Sequence, residues 1–264
     1  MNLVDGATRL YGIVGDPIAQ VKSPEVFTAR FRAAGLNAVL VPMEVKPERF
    51  DEALVGLKAL ANLHGIIATL PYKARVLRHV DRVLPTGKRV GAINAMRREP
   101  DGSWVGDMFD GKGLVAGMRA SGVEPRGKHV MLLGAGGAGS AIADALGEAG
   151  AQSIRVFDRE PAKARQLVER IRQAHPANEC RVGDPSLEGC DVLINATPVG
   201  MSPGDGLPAA FDALPARLFV VDIVPRSEET RLLASARAAG CRTMAGRAMV
   251  AGQVDEMLRF FGVA

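Results

Sequence analysis

Gly134, Gly136 and Gly139 form a G-x-G-x-x-G turn between the apolar run Val130–Leu133 and an alanine-rich helical pattern. A second apolar run, Ser153–Phe157, follows that pattern and ends in Asp158. Strand, glycine turn, helix, strand and acid in that order are what a dinucleotide-binding βαβ unit requires. The first glycine permits the tight turn, the second lets backbone N–H groups approach a pyrophosphate, and the third lets helix pack on strand. The helix N-terminus then faces the anion. Three more polar residues stand at or just beyond predicted strand ends in the first half: Lys73 in Thr-Leu-Pro-Tyr-Lys, Asn94 in Gly-Ala-Ile-Asn, and Asp110 in Asp-Gly-Lys-Gly. Taken singly, each fits a capping or surface role. Strand ends at one sheet edge are neighbours, so ahead of a dinucleotide unit the three can converge. General acid–base help from such a group is worth ~10²–10⁴-fold in rate.

The elements that would hold these residues alternate along the chain. Arg9–Gly15 and Ala38–Val45 read as strands, and Ser23–Gly35 as a helix with Ser23 as N-cap, Pro24 at its first position and Gly35 at its end. Pro47–Ala61 has apolar residues at helical spacing. His64–Lys73 opens with a strand that stops before Pro71, and Val90–Glu99 and Ser103–Phe109 make a hairpin about Pro-Asp-Gly. Helices are predicted over 111–122, 161–174, 228–240 and 247–262, with buried strands over 191–197 and 218–224. The expected architecture is α/β in two domains with mostly parallel sheets. A substrate domain spans 1–111, completed by a C-terminal helix over 241–264, and a Rossmann-type dinucleotide domain spans 112–240. Substrate would lie near the carboxyl ends of the strands.

Composition narrows the function classes. Hydrophobic residues make up 47% and charged residues 23% of the 264, ordinary for a globular chain. No apolar run approaches the ~20 residues that span a bilayer, and the N-terminal stretch has no charged segment followed by an apolar core. Cys180, Cys190 and Cys241 have no metal-like spacing and read as reduced thiols of a cytoplasmic protein, with no metal expected. The net charge of +4 comes from scattered arginines without interleaved aromatics, which argues against nucleic acid as a partner. A small-molecule partner and a monomer or homodimer are expected.

With these motifs in hand, the chain resembles the shikimate dehydrogenases and the related quinate/shikimate dehydrogenases. Gly-Asp-Pro-Ile-Ala with a following Ser-Pro, Thr-Leu-Pro-Tyr-Lys, Gly-Ala-Ile-Asn, Gly-Asp-x-x-Asp-Gly-Lys-Gly, Leu-Leu-Gly-Ala-Gly-Gly-Ala-Gly, Ile-Asn-Ala-Thr-Pro-Val-Gly-Met and Gly-Arg-Ala-Met-Val-Ala-Gly-Gln fall in that family's order over nearly the whole chain. The resemblance implies hydride transfer between NAD(P) and a ring hydroxyl or ketone of shikimate, quinate or a related cyclic hydroxy acid. It implies Lys73 as the catalytic lysine and Asp110 as its partner, and Ser23, Thr69, Asn94 and Gln253 as holding substrate. Gly134, Gly136, Gly137, Ala138, Gly139, Asp158 and Arg159 would bind the cofactor, with Thr197 and Met201 in the loop near the nicotinamide.

Departures from the family pattern gather at substrate positions. Gln20 and Val21 stand where the family has His and the first serine of Ser-x-Ser, Ile67 where it has Asn, Phe109 where it has Thr, and Pro225 where it has Tyr. Each lost bond to a charged group costs ~1.5–3 kcal/mol of binding, so an altered substrate range is expected. Asp158-Arg159-Glu160 replaces the Asn-Arg-Thr usual in NADP-using members. A carboxylate accepts from ribose hydroxyls and repels a 2′-phosphate, so NAD is expected to be preferred, with NADP also used. Two rival readings are another two-domain dehydrogenase, such as the methylene-tetrahydrofolate enzymes, and a non-catalytic sensor of NAD and a small acid. Gly-Ala-Ile-Asn and Asp-Gly-Lys-Gly speak against the first, and the presence of both Lys73 and Asp110 against the second.

Overall fold

The apolar run Arg9–Gly15 forms β1, a central strand buried from Tyr11 to Gly15. In the computed structural model, which describes residues 4–202, 204–224 and 229–263, it is followed by α1 (Ser23–Ala33), β2 (Ala38–Glu44), α2 (Phe50–Lys58), β3 (Leu63–Ala68), β4 (Arg82–Val83), α3 (Pro85–Val90), β5 (Ala95–Arg98) and β6 (Trp104–Asp107). These strands make one sheet in the order β2-β1-β3-β5-β6-β4. β1 pairs parallel with β2 and β3, while β5 runs antiparallel to β3 and β6. The carboxyl ends of β1, β2 and β3 therefore share one sheet edge. Pro42, which cannot donate to a ladder, sits in the edge strand β2.

Each face of this sheet is covered. On one, Tyr11, Ile13, Ile67, Ala95 and Val105 pack with Phe27 and Phe31 of α1 and with Val254, Met257, Leu258, Phe260 and Phe261 near the chain's end. The Tyr11 ring lies 4.7 Å from that of Phe31 and 5.1 Å from that of Phe261, contacts worth ~0.5–1.5 kcal/mol each beyond area burial. On the other face Val14, Ile66, Met96 and Trp104 pack with Phe50, Leu54, Tyr72 and Val76.

The second unit comprises α4 (Asp110–Ala120), β7 (His129–Leu133), α5 (Gly137–Glu148), β8 (Ser153–Phe157), α6 (Pro161–Ala174), β9 (Glu179–Val182), β10 (Val192–Asn195), β11 (Phe219–Asp222), α7 (Arg231–Ala238), β12 (Arg242–Ala245) and the first half of α8 (Gly246–Phe260). Its six strands are parallel, in the order β12-β11-β10-β7-β8-β9. The order turns outward in both directions from β7, so the ligand crevice of such a sheet falls outside the carboxyl ends of β7 and β10. Continuous apolar runs such as Val192–Ile194 and Phe219–Val221 suit strands buried on both faces.

The α/β architecture and the two sheets are as read from the sequence. Three details differ. The division by contacts is Met1–Phe109 with Val254–Ala264, and Asp110–Gln253. The tail therefore joins the first unit at 254 rather than 241, because β12 extends the second sheet through β11. Ser23 is not the N-cap of α1. That position falls to Lys22, without a side-chain cap bond, and Ser23 is already helical. Short elements (β4, α3, β9 and β12) were not apparent from periodicity, and among the described residues no helix joins β9 to β10 or β10 to β11. No described helix is long and apolar enough to cross a membrane.

Candidate active site

In the first unit the ends of β1 and β3 gather three of the expected residues. Ala68, the last residue of β3, donates its N–H to the Asn94 carbonyl at 2.8 Å, and Ile93 donates to the Lys73 carbonyl at 2.8 Å. Thr69 N–H bonds the Val14 carbonyl of β1 at 2.9 Å. The Thr69 methyl fills the space beside Gly15, where a Cβ would come within 2.4 Å of it. Lys73 and Thr69 are half-buried, and Asn94 is buried. The Asn94 side-chain oxygen accepts the N–H of Phe109 at 2.9 Å, holding the residue that precedes Asp110. Ser23 stands half-buried at the first position of α1.

In the second unit the glycine turn is built as its spacing predicts. Gly134 has φ +99°, a left-handed conformation open to glycine. A Cβ on Gly139 would lie 2.0 Å from the Gly134 carbonyl oxygen, so the third glycine is fixed by close packing. Nothing lies within 4 Å of where a Gly136 Cβ would be, which leaves that backbone open to approach. α5 starts at Gly137, and the first N–H groups of a helix lack intrahelical partners. Open backbone, unpartnered first-turn donors and the positive helix end fit the pyrophosphate of a dinucleotide. Gly137 and Ala138 are half-buried in that first turn, and Arg159 is exposed beyond β8.

Asp158 does more than the sequence suggests. One carboxylate oxygen accepts the N–H of Ala135, inside the glycine turn, at 2.7 Å, and the other accepts the N–H of Glu160 at 2.8 Å. The carboxylate thus ties the turn to the end of β8, and each oxygen keeps a second acceptor site. The Glu160 carboxylate pairs with Lys163 at 2.5 Å.

The loop carrying Thr197 and Met201 meets the glycine turn directly. A Cβ on Gly134 would lie 2.8 Å from the Ala196 carbonyl and 3.0 Å from Thr197 N. Thr197 donates its hydroxyl to Asn195 Oδ1 at 2.7 Å. Asn195 Nδ2 donates to the Val199 carbonyl and to Asp222 Oδ1, both at 3.0 Å, and Thr230 donates to Asp222 Oδ2 at 2.7 Å. Burial pushes the Asp222 carboxyl above the usual carboxylate range, against the bonds from Thr230, Val224 and Asn195. Half-buried Met201 bonds back to the Pro198 carbonyl at 3.0 Å. This Asn195–Asp222–Thr230 network was missed in the sequence. Its signal was a polar residue closing each of two wholly apolar strands.

Asp110 opens α4 and is buried, as is Gln253 of α8. Their helices cross at glycines: a Cβ on Gly113 would lie 2.8 Å from Gln253 Cβ, and one on Gly252 2.4 Å from the Gly113 carbonyl. Asp110 and Gln253 therefore belong to one unit, while Lys73, Thr69, Asn94 and Ser23 belong to the other. Asp107, unremarked in the sequence, is structural: it is buried and accepts the Gly87 N–H at 2.7 Å. Among the divergent positions, Ile67 and Phe109 are core residues of one apolar cluster against which Val21 packs. Gln20 turns back to the Pro17 carbonyl at 2.8 Å. Pro225 lies outside the described residues.

Comparison with known proteins matches the same two segments. Residues 13–96 match the family model described as the shikimate dehydrogenase substrate binding domain, and residues 118–232 the one described as shikimate / quinate 5-dehydrogenase. A shikimate dehydrogenase (NADP(+)) of Rubrobacter xylanophilus is 38% identical, over 97% of this chain and 91% of its own. The structure of shikimate 5-dehydrogenase from Listeria monocytogenes with shikimate and NAD is 29% identical with a TM-score of 0.86, covering 100% and 93% of the two chains. Ligand-free 5-ketofructose reductase from a Gluconobacter strain is 32% identical with a TM-score of 0.83, covering 96% and 92%.

The buried Asp222 carboxyl gives the loop a pH signature. Its folded value is raised, so ionisation opposes folding: the cost is absent below the ordinary carboxylate range and complete above the raised one. An asparagine keeps the acceptor for Asn195 and Val224 and donates to Thr230 instead. Asp222→Asn should therefore raise the melting temperature more at pH 8 than at pH 4. Calorimetry at both values checks it, and a uniform change at both would contradict the sign.

Proposed function

Because the chain belongs to the shikimate/quinate dehydrogenase family, we propose that it is an NAD(P)-dependent oxidoreductase that interconverts a ring hydroxyl and ketone of a cyclic hydroxy acid. The observation that carries this reading is the pairing, in one chain, of a built dinucleotide turn with Lys73, Thr69 and Asn94 gathered at one sheet edge. The cofactor, when bound, supplies the hydride acceptor or donor. The residues do the rest. Lys73 gives its Nζ proton to the carbonyl oxygen in reduction and takes the hydroxyl proton in oxidation. The family resemblance makes Asp110 the partner of Lys73 in this step. Thr69, Asn94, Ser23 and Gln253 hold the remaining oxygens. Lys73→Ala should lower kcat/KM by ~10²–10⁴-fold while the fluorescence-titrated affinity for reduced cofactor stays within a few-fold. A sensor has no turnover to lose, so equal absence of turnover in both proteins supports that reading instead.

The substrate range is altered from that of the family's common members. Val21, Ile67 and Phe109 offer no hydrogen bonds where the family has polar groups. At ~1.5–3 kcal/mol per lost bond, two such losses weaken binding about a hundredfold or more. The likeness to a 5-ketofructose reductase widens the candidates to polyhydroxy ketones. Steady-state kinetics over shikimate, quinate, less hydroxylated ring acids and 5-ketofructose should give shikimate a lower kcat/KM than another member of the panel. The highest value for shikimate would refute this.

For cofactor choice, Asp158 favours NAD. A carboxylate about 4 Å from a phosphate costs about 1–4 kcal/mol across the dielectrics of a protein surface. Glu160 adds little, since Lys163 neutralises it, and exposed Arg159 keeps NADP usable; the name of the Rubrobacter relative specifies NADP(+) rather than NAD. Titration should give NADH a Kd about tenfold below that of NADPH; tighter NADPH would reverse the assignment.

A further inference from the structure

We infer that Gly111 is a positioning residue for the proposed reaction, setting where Asp110 stands relative to the cofactor turn. This rests on the reading of Asp110 given above. Asp110 is the first residue of α4, and the next residue meets α5 backbone to backbone. A Cβ on Gly111 would lie 2.1 Å from the Ala141 carbonyl oxygen, 2.8 Å from the Ala141 carbonyl carbon and 2.7 Å from Ala145 Cβ. Cβ atoms essentially never come within 3.0 Å of another heavy atom, and here the obstacle is helix backbone, not the end of a flexible chain. Ala141 lies just past the first turn of α5, the turn that fits the pyrophosphate. The residue that follows the acid is therefore in direct contact with the main chain of the helix whose first turn forms the cofactor cradle.

The opposite side of α4 is held the same way. A Cβ on Gly113 would lie 2.4 Å from the Met249 carbonyl oxygen of α8, so α4 cannot yield toward α8 to make room on the α5 side. The two glycines of Asp-Gly-Lys-Gly thus lock α4 between two neighbours, a role that their sequence context alone does not state. A methyl at 111 must therefore shift α4 and α5 relative to each other by about 1 Å, against the backing of α8, and so move Asp110 relative to the first turn of α5. A misplacement of ~1 Å costs ~10²-fold in rate. Gly117, on the same helix, provides a control: its Cβ would stand 3.1 Å from the Ala248 carbonyl oxygen, a far smaller overlap than at Gly111, and it lies nearly two turns from Asp110.

The experiment compares Gly111→Ala, Gly117→Ala, Asp110→Asn and Asp110→Glu with the parent enzyme. For each, kcat and KM are read with the best substrate of the panel, cofactor Kd by fluorescence, and folding by melting temperature. Gly111→Ala should lose about 100-fold in kcat with cofactor Kd within about threefold, and Gly117→Ala should keep kcat within about threefold. A folded Gly111→Ala with unimpaired kcat, beside an impaired Asp110→Asn, overturns the positioning role alone. Loss of cofactor affinity in step with kcat also overturns it, since that marks a damaged fold. Unimpaired Asp110→Asn overturns the underlying reading of Asp110, and the inference with it. Should Gly111→Ala not fold, Asp110→Glu moves the carboxylate by one methylene on an unaltered helix. A comparable loss of kcat supports the tight positional demand, and an unimpaired kcat refutes it.

Discussion

Where Gly139 passes the Gly134 carbonyl and Gly111 passes that of Ala141, a Cβ would stand 2.0 and 2.1 Å from oxygen. Such approaches are closed to every residue except glycine, and most of the second unit is arranged around them. The Gly139 contact seats α5 on β7, which aims the first turn of α5 outward from the sheet edge. Gly134 in turn abuts Ala196 and Thr197, so the loop after β10 is shaped against the same turn. The Gly111 and Gly113 contacts then fix α4 with α5 on one side and α8 on the other. Hydrophobic burial supplies the driving force throughout, but it is non-directional. Main-chain contact at glycines converts it into defined spacings.

Polar side chains finish what the glycines begin. Asp158 accepts from Ala135 and Glu160, Asn195 binds Thr197, Val199 and Asp222, and Asn94 accepts from Phe109. Each ties an irregular segment to the end of a strand, where backbone groups have left the ladder and need partners. Losing one such bond leaves a buried donor unsatisfied, at ~1–3 kcal/mol. The candidate site is therefore made of loops that are irregular in shape but closely held.

Much of this was legible in the chain. Buried parallel strands such as Val192–Ile194 are continuous apolar runs, and the glycine turn carries its own spacing. What was hidden had short range or no local signature. β4, β9 and β12 are two to four residues long, too short for any period to register. The capping position of α1 went to Lys22 because Ser23 enters the helix one residue earlier than its type suggests. The second task of Asp158 was invisible because Ala135 is brought to it by the β7–β8 pairing, not by sequence distance. Which glycine serves flexibility and which serves proximity is likewise a tertiary fact: Gly134 needs both its φ and the missing methyl, whereas Gly111 needs only the missing methyl.

The first unit is discontinuous along the chain. Phe260 and Phe261 pack with Tyr11, Phe27, Phe31 and Phe109, although more than 140 intervening residues build the other unit. On the ribosome, where chains emerge from the N-terminus, β1 to β6 are made before the second unit and wait through its synthesis for the aromatic pair. The second unit, whose contacts close within one stretch of chain, can be complete before this face of the first unit is. That sheet face therefore lacks the tail's share of its cover while the second unit is made, an interval in which exposed apolar surface favours aggregation.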